Sequence, residues 1–523
     1  MKILFLMDSP EYLRFYDSAV QELAARGHEV AIAVNHQRDK KPVGIEGLRT
    51  NADRVRVLGV VPESVGVWSH IAYKLRGTMD FVRFLHPTFR EAPALRARIK
   101  RKVLPRAYYW LDAIPHLSAA AVRRIERLLM SAERAVPIQP SIVEFLRAHA
   151  PDVLLVSPLV AAASDQVDWV KAARLCGIRT GVCIASWDNL TNKGLLRVEP
   201  DMVIVWNEAQ REEAHEYHYV PLDRVAATGA QLFDKWFDKR VARERDEFCR
   251  AIGLPDSGPF VLFTGSSSFI SESSSEVAFV RRWIAALRAS RHPELRDVNV
   301  LVRPHPYNFH RWADDPVADM PRVAVYPRLP YNPVEQSSRN DFFDSLYHCA
   351  VVVGINTSAM IEAAIIGRPV CSMLAPEFAG TQEGTIHFHH LLPEHGGFLR
   401  IASTLEQHVD QLGDCLRHPA ATRAETERFV ATFIRPHGRD RAATPLFADV
   451  VERLGVTPLQ PVTPPRLAGG IRLLLIAAAL PAFVVDQFRP QALTRLRKRI
   501  NAAPRRASKR LKKATARWKR LIP

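Results

Sequence analysis

The stretch MKILFLMDSPEYLRFYDSAVQELAARGHEVAIAV, residues 1–34, decides the fold class. Lys2 to Leu6 is a short apolar run of strand length, stopped by Asp8 and Glu11. The same stop makes it too short for the apolar core of a secretory signal. From Tyr12 to Arg26 the apolar residues recur at helical spacing until Gly27, and Glu29 to Val34 reads as a second strand. Two strands joined by a helix form a β-α-β unit, and that unit implies a parallel sheet.

Outward from this unit, Val55 to Val61 continues the sheet, and residues 68–135 read as basic helices with apolar positions at Phe81, Phe84, Leu85 and Tyr108 to Leu111. Strands resume at Val153–Val156, Thr180–Ile184, Met202–Trp206 and Arg224–Thr228. A second set follows at Phe260–Phe263, Val298–Val302, Val323–Tyr326, Ala350–Val353 and Pro369–Met373. The expected fold is α/β, with two Rossmann-like doubly wound domains at 1–235 and 236–455. The first carries the helical insertion at about 68–135. A linker at 456–466, with Pro458, Pro461, Pro464 and Pro465, leads to an apolar segment and a basic tail at 467–523.

Composition agrees with a globular body. The chain has 523 residues, 47% hydrophobic and 24% charged, which excludes bulk disorder and fibrous repeats. Six Cys without a CxxC pair argue against a disulfide framework or a zinc finger and for a reducing compartment. The formal charge of +17 is localised: Arg489 to Pro523 holds 14 Lys/Arg and no Asp/Glu. The other residues hold 58 basic and 55 acidic side chains, so the body is close to neutral.

In open parallel sheets ligands bind beyond the carboxyl ends of the strands, so the loops there are the places to search. No GxGxxG follows a strand and no P-loop motif occurs. Four loops of the second half stand out. Thr264-Gly265-Ser266-Ser267-Ser268 offers small residues and hydroxyls to a phosphate. Arg303-Pro304-His305-Pro306 holds a cation and an imidazole at a rigid turn. In the stretch from Gly354 through Asn356, Thr357, Ser358 and Glu362 to Gly367-Arg368-Pro369, Thr357 or Ser358 is placed to cap a helix. Glu362 follows Ser358 by one helical turn, where a carboxylate can accept ribose hydroxyls. The fourth loop, Pro376 to His390, carries His387, His389 and His390 without a carboxylate ligand set, which points to structural use rather than a metal. In the first half, Trp187 beside Asp188 and Asn189 suggests an apolar wall that raises a carboxylate towards the range of a general base. A loop packed by Trp187 and tied by Asn/Asp turns is the plainer reading.

These loops, with Thr228-Gly229-Ala230-Gln231-Leu232-Phe233-Asp234 at the domain junction, resemble the GT-B superfamily of glycosyltransferases over about residues 1–455. The likeness leans towards the branch of UDP-N-acetylglucosamine 2-epimerase, the CDP-glycerol phosphotransferases and the capsule-type transferases. The Trp187 to Thr191 stretch looks like one found in uncharacterised bacterial members. The resemblance implies a nucleotide-sugar donor site in the second domain facing an acceptor site in the first. Carried over by position, Gly265, Ser266, Ser267, Arg303, His305, Asn356, Thr357, Ser358 and Glu362 lie on the donor side. Within that set Glu362 binds ribose, Thr357 and Ser358 the phosphates, and His305 a phosphate or the departing nucleotide. Trp187, Asn189 and His387 lie on the acceptor side. Asp188 and Asp8 compete for the base, with Asp188 slightly preferred. With no Asp-x-Asp, metal-independent chemistry is expected, with no cofactor beyond the nucleotide-sugar substrate.

The leading expectation is transfer of a sugar or polyol phosphate to an envelope-glycan or lipid-linked acceptor. A sugar 2-epimerase and a non-catalytic glycan- or lipid-binding scaffold are the alternatives. Aromatic residues are sparse in the basic tail and it carries no nucleic-acid motif, so an anionic membrane is its expected partner. Leu473 to Val485, an apolar run of 13 residues containing Pro481, reads as a re-entrant or interfacial segment rather than a span. The expected location is cytoplasmic, peripheral on the inner face of the membrane.

Overall fold

The structure is a computed structural model that describes residues 1–36, 52–271, 275–306, 308–314, 316–328, 335–459 and 467–487. Most of the linker and the whole basic tail from Arg489 onward lie outside the described residues.

Strands β1 (Lys2–Met7), β2 (Glu29–Val34), β3 (Val55–Val60), β4 (Val153–Ser157), β5 (Arg179–Cys183), β6 (Met202–Val205) and β7 (Val225–Ala227) form one sheet in the order β3-β2-β1-β4-β5-β6-β7. All its pairings are parallel. Ile3 to Met7 are fully buried because helices cover both faces, the reason β1 is continuously apolar rather than alternating. Helix α1 (Leu13–Ala25) buries Tyr16, Val20 and Leu23 on the sheet, and Gly27, at φ +91°, lets the chain leave the helix in the left-handed region.

The second sheet repeats the pattern. Its strands are β8 (Phe260–Thr264), β9 (Asn299–Arg303), β10 (Val323–Val325), β11 (Val351–Gly354), β12 (Val370–Met373) and β13 (Arg400–Ala402), ordered β10-β9-β8-β11-β12-β13. In each sheet the winding reverses beside the first strand, between β1 and β4 and between β8 and β11. Those two switch points place the loops after β1, β4, β8 and β11 at the crevices where ligands gather.

Helices α2 (Val67–Arg83), α3 (Pro93–Lys102) and α4 (Ala119–Ala135) form the insertion, with a 3₁₀ segment Arg106–Ala113 between the last two. Buried charge fastens it to the first sheet. Arg76 pairs with Glu133 at 2.7 Å and with Asp168, beyond β4, at 2.5 Å. Asp80 accepts the amides of Ala163 at 2.7 Å and Leu195 at 2.9 Å and pairs with Arg197.

Two features depart from the sequence reading. Helix Ala443–Val456, assigned to the second domain, returns to pack on α1 and on β4, β5 and β6 of the first sheet. The chain therefore crosses between domains twice. Asp234 joins the crossings: it accepts the amides of Ala443 (3.0 Å) and Thr444 (2.7 Å) and pairs with Arg435 at 2.8 Å. Gly229, at φ +97°, leaves no room for a side chain, since a Cβ there would lie 2.7 Å from that of Ala443. The second departure is the C-terminal helix Ala468–Gln487, which spans 20 residues and runs through Pro481. It exceeds the 13-residue apolar run, and by length and composition alone it could cross a membrane.

Candidate functional site

The loop after β5 is built by the insertion. Arg83 of α2 donates to the carbonyls of Lys193 at 3.1 Å, Gly194 at 2.8 Å and Leu190. Gly194 packs so closely on Asp80 that a Cβ would lie 2.4 Å from its carboxylate. These contacts fix Asp188 and Lys193 at the mouth of the first sheet. Lys193 Nζ lies 3.4 Å from the Tyr12 hydroxyl, and its ammonium is held charged against the cost of burial by Tyr12, Asp188 and Asp8. Asp8 itself follows β1, so Asp8, Lys193 and Asp188 form one electrostatic group at the switch point.

The second domain closes on this group. The Trp187 and His387 rings meet edge to face at 4.6 Å, joining the two domains through an apolar contact. Asn356 Nδ2 lies 3.3 Å from His387 Nε2 and 2.7 Å from the Thr381 carbonyl, so the Asn356 loop positions the imidazole. His387 Nδ1 is buried with no hydrogen-bond partner. Burial pushes His387 down to about 4, against the Asp188 carboxylate and helped by its neighbours His390, His389 and Arg98, so the ring is neutral at pH 7. Arg98 of α3 stacks over Phe269 at 4.1 Å, which brings the insertion onto the Ser-rich loop of the second domain.

A second group lies along the β8/β11 crevice. Burial and the Arg14 cation push His305 down to about 4. The half-buried Glu362 carboxyl is pushed up to about 8 by loss of water, with Arg14 and Lys239 opposing. Arg14 sits on α1, in the first domain, yet its charge acts on both second-domain residues. Its Nε is buried without a hydrogen-bond partner. A cation with an unsatisfied donor beside a neutral imidazole and a protonatable carboxyl is suited to an anionic, hydroxyl-bearing ligand.

Several expected site residues take other roles. Asp188 does not have the raised value expected of a base. Burial alone would raise it, but Lys193, His387, Ser186 and Arg98 hold it down at about 2. The apolar wall was legible in Trp187; the cations that defeat it come from distant segments. Asn189 is fully buried and ties Asp188 (3.2 Å) to the Ala185 amide (3.2 Å), so it shapes the loop rather than touching an acceptor. The Gly265 amide donates to the Arg303 carbonyl at 2.9 Å, and that of Ser266 to Glu276 at 2.7 Å. Neither amide is available to a phosphate, and Ser266 is wholly buried. Arg303, the last residue of β9, turns inward to Ser345 at 2.9 Å under the rings of Tyr326 and Phe342. Ser358 makes no side-chain cap, and Thr357 Oγ1 reaches the Ala359 amide only at 3.5 Å. Ser267 follows Ser266 at the start of a turn that leads to Phe269. The three His of the fourth loop diverge: His387 meets Trp187, His389 stacks on His395 and His390 pairs with Glu213 at 2.7 Å. Among the described residues no His/Cys/Asp/Glu group is placed to hold a metal ion.

Arg14, Tyr12 and Arg98 carried no motif, and only the topology brings them to the crevice. Lys193 lies two residues beyond the Trp187 to Thr191 stretch, where a charge close to a buried turn was the available signal.

A polar cavity of about 210 Å³ lies beside this crevice, beyond β4 and under α2, lined by Ser64, Ser69, His70, Tyr73, Arg76, Ala163, Asp165 and Asp168. His70 on its rim touches Phe483 of the C-terminal helix, ring centroids 6.4 Å apart.

Two doubly wound sheets facing one another across a crevice constitute the GT-B fold, and solved structures share it. A putative UDP-N-acetylglucosamine 2-epimerase from Listeria monocytogenes matches at 12% identity over 88% of this chain and 99% of that one, TM-score 0.50. A glycosyltransferase from Rickettsia africae matches at 9% identity over 87% and 99%, TM-score 0.50. The UDP-GlcNAc 2-epimerase of Methanocaldococcus jannaschii matches at 9% identity over 86% and 100%, TM-score 0.50. At such identities the likeness is one of fold. No family model matches the chain. No curated protein matches it in sequence.

Proposed function

We propose that this chain is a glycosyltransferase that moves a sugar, or a polyol phosphate, from a nucleotide-activated donor to an envelope-glycan or lipid-linked acceptor at the cytoplasmic face of the membrane. The observation that carries the reading is Arg14: one first-domain cation bears on both His305 and Glu362, the residues of the β8/β11 crevice. A diphosphate placed between them gains the cation and a hydrogen bond from neutral His305, while Glu362 meets the ribose hydroxyls. Binding there draws the two domains together.

In glycosyl transfer the bond from the anomeric carbon to the phosphate oxygen breaks and its electron pair goes to the nucleotide diphosphate. Arg14 and His305 stabilise that charge where it develops. The acceptor hydroxyl forms the new bond and gives up its proton. Asp188, held at about 2 by Lys193, is a poor recipient, so the base is assigned to Asp8 across the same lysine. The acceptor enters from the Asp165 cavity, whose hydroxyls and carboxylates suit a polyol, and whose rim at His70 abuts the apolar C-terminal helix.

The test is thermal stabilisation by UDP, GDP, CDP and CMP, followed by turnover of the stabilising donor with and without lipid-linked acceptors. One nucleotide should raise the melting temperature in wild type and not in Arg14→Ala. Stabilisation by none of them refutes the reading. An epimerase is the second reading, supported by titratable groups that meet from both domains: Asp8 and Asp188 from the first and His387 from the second. Isomerised nucleotide-sugar formed without acceptor would select it.

A further inference from the structure

The C-terminal helix Ala468–Gln487 has two apolar faces half a turn apart. At 100° per residue, Leu475, Ala479 and Ala482 fall on one side, and Leu473, Ala477, Leu480 and Val484 on the opposite side. The first face is seated: Leu475 and Ala479 are buried among Ile71, Leu75, Met79 and Met130 of the insertion. Polar contacts hold the helix there at both ends and in the middle. Arg472 Nε donates to the Ala135 carbonyl at 2.8 Å, the Tyr108 hydroxyl donates to the Ala478 carbonyl, and Lys74 lies 5.2 Å over the Phe483 ring. The second face meets solvent, with Leu473 70%, Leu480 55% and Val484 51% exposed. Trp110, in the 3₁₀ segment that packs against the helix, is 64% exposed.

We infer that this helix lies in the plane of the membrane, as a ridge on the helical insertion, with the Leu473–Val484 face immersed in lipid. The inference rests on the membrane reading proposed above and specifies its geometry. Three observations choose lying over crossing. A helix sewn to a water-soluble body along its length cannot thread a bilayer without leaving its seat. Pro481 lacks an amide, so the Ala477 carbonyl loses its helical partner, which interfacial water can replace more readily than the hydrocarbon centre can. Finally, the chain that follows carries 14 Lys/Arg and no acid from Arg489 to Pro523, charge that complements an anionic lipid surface rather than a second copy of this basic chain.

The experiment places nitroxide labels one at a time at Leu473, Leu480 and Val484 in the full chain, on a Cys176→Ser background, the other five Cys being buried. Depth is read in phosphatidylglycerol and phosphatidylcholine vesicles. A lying helix puts all three labels at one shallow depth, roughly 5–10 Å below the headgroups. A crossing helix spreads Leu473 and Val484 by roughly 16 Å, eleven residues at 1.5 Å each. Equal shallow depths, with at least tenfold weaker phosphatidylglycerol binding for L473D/L480D, support the inference. Graded depth with vesicle binding retained overturns the lying geometry and leaves the membrane reading standing. No vesicle binding overturns both, as does labels buried in a dimer without lipid. Nucleotide stabilisation, measured on the same samples, reports separately on the donor site.

Discussion

Replacing Asp188 by Asn removes one negative charge from a group whose members hold one another charged. The carboxyl sits at about 2 against an ordinary 3.8, because Lys193, His387, Ser186 and Arg98 outweigh its burial. A shift of that size corresponds to about 2 kcal/mol in favour of the folded state. The sign follows from its depressed value. The contribution is fully present above the unfolded value of 3.8 and is lost as pH falls towards 2. Asp188→Asn should therefore lower stability by about 2 kcal/mol at pH 7, and by about half of that at pH 3. Calorimetry of both proteins over that pH range should show a deficit of roughly 2 °C at pH 7 that narrows on acidification. Lys193 gives a second readout: without its partner the buried ammonium should titrate lower. If variant and wild type melt together at pH 7, or if the deficit is the same at pH 3, the electrostatic group at the first switch point is not as described.

Arg14→Ala, His305→Ala and Glu362→Ala should each weaken nucleotide binding or turnover at least tenfold, while circular dichroism melts stay near wild type; wild-type kinetics in all three would remove the donor site from this crevice. Asp8→Asn should depress transfer by roughly 10²- to 10⁴-fold and leave nucleotide stabilisation intact, whereas equal loss of both would deny it the base role. His305 and His387, both held at about 4, stay neutral while their unfolded counterparts protonate near 6.5, so stability should fall as pH drops from 6.5 towards 4. A His305→Gln, His387→Gln double variant should flatten that slope, and an unchanged slope would place the titration elsewhere. Asp234→Ala strands buried Arg435 at the domain crossing and should cost about 3–5 kcal/mol in denaturant titrations.

How much of this was legible depended on whether the signal was local. β1 and β8 announce themselves because a strand buried on both faces must be apolar throughout. β13, Arg400–Ala402, opens on a charged residue and offers no apolar run like those of β7 and β10, which are equally short. The ownership of helix Ala443–Val456 could not be read, since its apolar stripe fits either sheet and only the crossing at Asp234 decides. Within the site, the search beyond the strand ends led to His305 and Glu362, which the structure sets within reach of the Arg14 charge. It failed for Arg303 because that residue is still in β9, facing Ser345, and for Gly265 and Ser266 because their amides are spent inside the loop. Asp188 shows the general difficulty: a neighbouring Trp is visible in sequence, whereas Arg98 and His387 become neighbours only when the chain has folded.

The return of helix Ala443–Val456 to the first sheet has a consequence for synthesis. Phe447, Val451 and Leu454 are part of the same buried cluster as Ile3, Phe5 and Val153, so β1 and β4 wait for a segment made long after them. Until that helix has left the ribosome, one face of the β1–β4 layer has only the part of its cover that α1 supplies. The amino-terminal domain cannot mature on its own while the carboxyl-terminal one is being made. Chains cut short before Ala443 should be retained by chaperones or cleared by proteases, whichever half they contain intact.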